Sequence, residues 1–146
     1  MAENNALANT NVRDTLSANN STAYCSMQVQ SMKDRARLYN AMSNPTHKLA
    51  DYINVTIWIK DIYVELIELT DDLTGEITLA PRTVIIDNGG ETFQAVSKGI
   101  YNSLSRLIQN FGEPTWDPGL PVKVKQITKG KNQTLVLEAD LDAFTD

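Results

Sequence analysis

The run from Val55 to Leu66 leaves this chain few ways to fold. In Val55-Thr56-Ile57-Trp58-Ile59-Lys60 the residues alternate, with Val55, Ile57 and Ile59 on one side and Thr56, Trp58 and Lys60 on the other. A period of two is the signature of a β-strand with one buried face. The apolar parity then moves to Ile62, Val64 and Leu66. A one-residue change of phase turns a buried set toward solvent unless the strand takes up an extra residue. A β-bulge is therefore predicted near Lys60-Asp61, in one long strand that bends between two parts of a sheet.

The chain after this strand supplies its neighbours. Thr70-Asp71-Asp72-Leu73-Thr74-Gly75 is a turn cluster, and Ile77 to Asp87 returns as a second strand. Its Pro81 removes a ladder donor, which predicts an edge or bulged strand. Asn88-Gly89 predicts a tight hairpin turn into a third strand, Glu91 to Val96. Ile100, Leu104, Leu107, Ile108 and Phe111 then recur at helical spacing, with Ser97 to cap the helix and Gly112 to end it. Glu113 to Pro121 is a proline-rich loop, and Pro121–Thr128 with Gln133–Leu137 form a last hairpin across Lys129-Gly130-Lys131-Asn132.

Before the first strand the signals are weaker. Residues 1–30 are rich in Asn, Ala, Ser and Thr without a period, which predicts a flexible arm. Ser31-Met32-Lys33-Asp34 is a capping box opening a short helix to about Met42. Asn44-Pro45 reads as a second helix start, with Asn44 as N-cap, leading into Leu49, Tyr52 and Ile53. Three strands, a helix and two strands, the first strand bent, is the chain order of the OB-fold, a partly open Greek-key barrel. The reading is a mainly β, five-stranded OB-fold-like barrel over 31–137 with short N-terminal helices, followed by an acidic tail over 138–146. An SH3-like barrel normally lacks so long a helix at this place, and an α+β sandwich is the other alternative.

At 146 residues and 42% hydrophobic content the chain suits one domain. A single cysteine, Cys25, excludes an intramolecular disulfide, and the N-terminus lacks the basic and apolar stretches of a secretory signal. A cytoplasmic setting is expected. The net charge of −5 speaks against nucleic acid until its distribution is read. Glu138, Asp140, Asp142 and Asp146 gather in the tail, whereas Arg82 to Leu137 holds seven bases against four acids.

Catalytic chemistry is poorly supplied. One histidine, His47, and one cysteine give neither a nucleophile–base pair nor metal-ligand spacing. Asp71-Asp72 sits in a turn cluster, and Asp87-Asn88-Gly89-Gly90 lacks the lysine and spacing of a phosphate-binding loop. No enzyme, cofactor or metal is expected. Single-strand binding instead asks for flat faces on which bases stack and a cationic track for phosphates. Trp58, Lys60, Tyr63, Arg82, Phe93, Lys123, Lys125, Lys129 and Lys131 are the candidate residues, placed on the strands and hairpin that form the binding surface of an OB-fold. The competing reading makes Tyr63 and Phe93 core residues and the lysines a solvated surface. In the tail, Asp140, Asp142 and Phe144 are candidates for docking a partner, against the alternative of a frayed end.

The segment from Tyr39 to Leu137 resembles a family of small single-stranded DNA-binding proteins encoded by phages. The likeness runs through Leu38-Tyr39-Asn40-Ala41-Met42-Ser43-Asn44-Pro45, Leu49-Ala50-Asp51-Tyr52-Ile53, Ile59-Lys60-Asp61-Ile62, Arg82-Thr83-Val84-Ile85-Ile86-Asp87 and Ser97-Lys98-Gly99-Ile100-Tyr101-Asn102-Ser103-Leu104. Phe111-Gly112-Glu113-Pro114-Thr115-Trp116 before Val122-Lys123-Val124-Lys125 is similar to it as well. The resemblance implies single-stranded DNA as partner, and phage DNA replication or recombination in the host cytoplasm. The ending Asp140-Leu141-Asp142-Ala143-Phe144-Thr145-Asp146 is similar to the acidic tips with which bacterial single-strand binders recruit partner proteins, although its Phe is not followed at once by the terminus. A homo-oligomer is compatible with this reading. The alternative is a protein-interaction module, such as a phage structural or host-directed inhibitory protein, using the barrel face.

Overall fold

The computed structural model of the chain describes residues 23–145. In chain order they form β1 (Ala23–Cys25), α1 (Met32–Ser43), β2 (His47–Lys48), a 3-10 turn (Leu49–Tyr52), β3 (Thr56–Thr70), β4 (Ile77–Asp87), β5 (Thr92–Val96), α2 (Lys98–Phe111), β6 (Leu120–Lys129), β7 (Asn132–Ala139) and a closing 3-10 turn (Leu141–Ala143). Among the described residues the protein is mainly β, a curled half-barrel sheet with two helices, consistent with an OB-like fold. Its strand order is β2-β5-β4-β3-β6-β7, with β1 laid on β3.

β3 is the spine, and the predicted bulge explains how. Thr56–Ile59 pair with β6, the register with β4 shifts between Ile59 and Asp61, and beyond the shift β1 replaces β6 as neighbour. The shift lets Ile57 and Ile59 on one side of it, and Ile62 and Val64 on the other, enter the same core. There they meet Ile85, Phe93, Leu120, Val122, Val124 and the buried stripe of α2, Ile100, Leu104, Leu107 and Ile108. Each fully buried side chain of this kind contributes about 1.5–3 kcal/mol of transfer free energy. On the opposite face, Tyr63, Val84 and Ile86 form a second cluster with Cys25 and Ala41, and Leu38 packs against it. α1 thus covers the outer side of β3 and β4, and Cys25 of the neighbouring β1 joins the same cluster.

Several expectations hold in detail. Ser31 Oγ accepts from Asp34 N at 3.1 Å while Asp34 Oδ2 accepts from Gln30 N at 3.1 Å, a reciprocal N-terminal cap. Ser97 Oγ accepts from Ile100 N at 3.2 Å, and Gly112 ends α2 with φ 84°. Pro81 lies in the half of β4 that β5 does not reach, so β4 is central where β5 flanks it and an edge where the proline sits.

Other expectations need correction. Asn44 is the C-cap of α1, not the N-cap of a second helix. After it the chain pairs with β5 in parallel, because Thr46 exchanges hydrogen bonds with Thr92 and His47 stacks on Phe93 with ring centroids 4.9 Å apart. The hairpin at Asn88-Gly89 is wider than a two-residue turn: Asp87 Oδ1 accepts from Gly89 N and Glu91 N, and Gly90 takes the positive φ. Most of the arm expected over 1–30 lies outside the described residues, but Ala23–Cys25 form β1 and Ser26 is buried against Asp61.

The five long strands do not close into a cylinder by strand pairing. Among the described residues β7 has no ladder to β5 or β2. α2 takes that place: Leu137 N of β7 donates to Ser103 Oγ at 3.0 Å, so the helix uses a donor that a closing strand would need. A Cβ on Gly99 would stand inside contact distance of the Leu135 carbonyl oxygen, so helix and strand backbones touch.

Candidate nucleic-acid interface

In an antiparallel ladder, directly opposed residues share a face. Thr56 opposes Lys123 and Trp58 opposes Pro121 between β3 and β6, while Lys125 opposes Val136 across β6 and β7. Alternation along each strand then puts Trp58 and Lys60 on the same outer face as Lys123 and Lys125. Lys60 is exposed, and Trp58, Lys123 and Lys125 are half-buried. Lys125 Nζ donates to Asn54 Oδ1 at 3.2 Å, which steadies it at the start of β3. Gly119 lies under the tryptophan, where an added Cβ would stand 3.1 Å from Trp58 Cβ. Lys129 ends β6 and Lys131 sits in the turn to β7 beside Gly130, which has φ 63°. Both lysines are exposed.

The other candidates lie elsewhere. Tyr63 is buried beneath α1 and donates to Glu65 Oε2 at 3.4 Å. Burial, and next the Glu65 carboxylate, push its hydroxyl up to about 12. Phe93 is buried on the inner face, stacked on His47 and meeting Tyr52 edge-on at 5.0 Å. Neither ring offers an open face to a base, so of the three predicted stacking rings the patch contains Trp58. Arg82 is held within its own sheet, with Nη1 on Glu65 Oε1 at 3.3 Å and Nη2 on Gln94 Oε1 at 3.2 Å.

The tail is folded onto the sheet. Asp140 Oδ2 accepts from Thr56 Oγ1 at 2.6 Å, and Phe144 packs on the core with its ring parallel to that of Phe111 at 6.2 Å. Asp142 remains exposed in the 3-10 turn. Asp140 therefore stands beside the cationic face, next to the residue that opposes Lys123.

Where β5 and β7 fail to pair, a groove of about 560 Å³ opens between Gln94, Lys98, Gln133, Thr134 and Lys48. It adjoins a hollow of about 350 Å³ beside His47 and Tyr52. Its lysines come from β2 and the first turn of α2, which only the folded sheet brings together, so no local pattern could have announced it.

The family described as phage single-stranded DNA-binding protein matches residues 17–140. The chain belongs to that family. No curated protein and no solved structure matches it. As a phage single-stranded DNA-binding protein it belongs to a class that binds DNA and is not a class of enzymes. The matched span takes in the whole Trp58 patch, the groove and Asp140, and leaves Asp142 and Phe144 beyond it. Among the described residues no helix is long and apolar enough to cross a membrane.

Proposed function

We infer that this protein coats single-stranded DNA without regard to sequence during phage DNA replication or recombination in the host cytoplasm, using the outer face of β3 and β6. The observation that carries the reading is the convergence of Trp58 and Lys60 from β3 with Lys123 and Lys125 from β6 on one face. Trp58 supplies a ring on which any base can stack, worth about 1–3 kcal/mol. The lysines neutralise phosphates and release counterions, and Lys129 and Lys131 prolong the track toward the hairpin tip. Tyr63 and Phe93 contribute through the core rather than by stacking. Asp140 and Phe144 act within the fold in this reading, and Asp142 is left as the tail residue free to meet a partner.

Fluorescence polarisation of labelled oligo(dT) across a salt series tests it. Trp58→Ala should weaken binding roughly tenfold at every salt concentration. Lys123→Glu with Lys125→Glu should abolish most binding and lower the salt slope by roughly 0.7 for each phosphate that is no longer neutralised. If both variants bind like the parent, the surface lies elsewhere. If the parent binds duplex as tightly as single strands, the stacking role of Trp58 fails.

A further inference from the structure

The β3–β4 hairpin extends well past the body of the sheet. Beyond the rung Glu65–Arg82, β3 and β4 stay paired from Leu66–Pro81 to Thr70–Ile77, while among the described residues β1 reaches no further along β3 than Glu65 and β5 no further along β4 than Arg82. The tip is a built turn: Asp71 N donates to Glu76 O and Gly75 N to Asp71 O, both at 2.8 Å, and Gly75 takes φ 73°. Yet the arm is apolar on its surface, with Leu73 96%, Ile77 59% and Leu79 58% exposed. Ile77 and Leu79 share their face with Pro81, continuing outward the side of the sheet that forms the core. A two-stranded ribbon gains little stability alone, and large exposed side chains on it call for a partner.

Charge says which partner. From Ile62 to Pro81 the chain holds Glu65, Glu68, Asp71, Asp72 and Glu76 and no Lys or Arg. From Leu120 to Leu137 it holds Lys123, Lys125, Lys129 and Lys131 and no Asp or Glu, and Ile127 is 36% exposed there. Two arms laid on each other would oppose acid to acid. An arm laid on the β6–β7 hairpin tip of another molecule opposes unlike charges and covers apolar side chains on both.

We propose that copies of this protein associate head to tail, the acidic β3–β4 arm of one docking on Ile127, Lys129 and Lys131 of the next. Such a contact is heterologous, so each molecule added leaves one arm and one basic tip unsatisfied at the ends of the row. Rows of this kind match a linear polymer: in a docked molecule Lys129 and Lys131 meet the arm's carboxylates in place of phosphates, and Trp58, Lys60, Lys123 and Lys125 stay with the nucleic acid. The contact does not depend on the DNA-binding reading, whereas its use along a strand rests on it.

Sedimentation equilibrium of the full chain at low salt and without DNA tests the contact, using two variants. The first reverses the arm (Glu68→Lys, Asp72→Lys, Glu76→Lys), and the second reverses the tip (Lys129→Glu, Lys131→Glu). The parent should associate beyond a dimer as concentration rises, and each variant alone should do so roughly tenfold more weakly. An equal mixture of the two variants should associate again, because each arm then meets a tip of opposite sign. Leu73→Ser, at an exposed turn, should weaken association without disturbing the sheet. A parent that stays monomeric, a tip variant that associates as the parent does, or a mixture that stays apart overturns the proposal. The arm variant should keep the parent's affinity for an oligo(dT) long enough for one molecule. If no variant or parent binds that oligonucleotide while association still follows charge, the DNA-binding surface is wrong and the head-to-tail contact stands.

Discussion

Gly99 sits inside the first turn of α2, where glycine costs roughly 1 kcal/mol relative to alanine. The fold repays that cost with a close approach of helix to strand. A Cβ there would fall within contact of the Leu135 carbonyl oxygen and 2.7 Å from Thr134 Oγ1. The first of these atoms is backbone in β7 and cannot rotate away. Gly99→Ala should therefore lower stability by on the order of 2 kcal/mol despite its better helix propensity, seen as a lower urea midpoint. A variant as stable as the parent would show that α2 does not rest on β7. At this scale the sequence was partly readable. Alternation along β3 and β6 identified Trp58, Lys60, Lys123 and Lys125 as sharing one side of their strands. The same alternation could not say which parts of that side are roofed, and α1 roofs Tyr63.

Elements whose signal lies in their own residues were legible, and those defined by a distant partner were not. Ile77–Asp87 is β4 to the residue, and the bulge falls where the parity of β3 changes. β1 and β2 are three and two residues long and exist because β3 and β5 offer them backbone partners. The acidic tail belongs to the same class. Its charges suggested a solvated end, but Phe144 found Phe111 and the core, and Asp140 found Thr56. Phe144→Ala should consequently cost about 1–2 kcal/mol of stability, less than a fully buried phenylalanine because the ring is half-buried. Thermal or urea unfolding distinguishes this from a recruiting tip, whose loss would leave stability unchanged and remove only a partner.

At the scale of the molecule, β1 and its surroundings hold several ionisable groups neutral. Burial pushes the Cys25 thiol up to about 11 and the Tyr63 hydroxyl up to about 12. Tyr24 is raised further still, by burial and by donating its hydroxyl to Glu113 Oε2 at 2.9 Å. The native state therefore keeps these protons at pH values where the unfolded chain has begun to lose them. Stability from this source is intact below about 9, the ordinary value of a thiol, and is lost as the pH rises through 11 and then 12. The chain already carries a net charge of −5, so each further anion created on unfolding or forced on the fold adds to its self-repulsion. Urea midpoints measured from neutral to strongly alkaline pH should hold level to about 9 and then fall steeply. Tyr63→Phe should flatten the later part of that fall and Cys25→Ala the earlier part. A midpoint that stays level through the titration of both groups would mean that the side of the sheet on which Cys25 and Tyr63 lie is open to water in the native state.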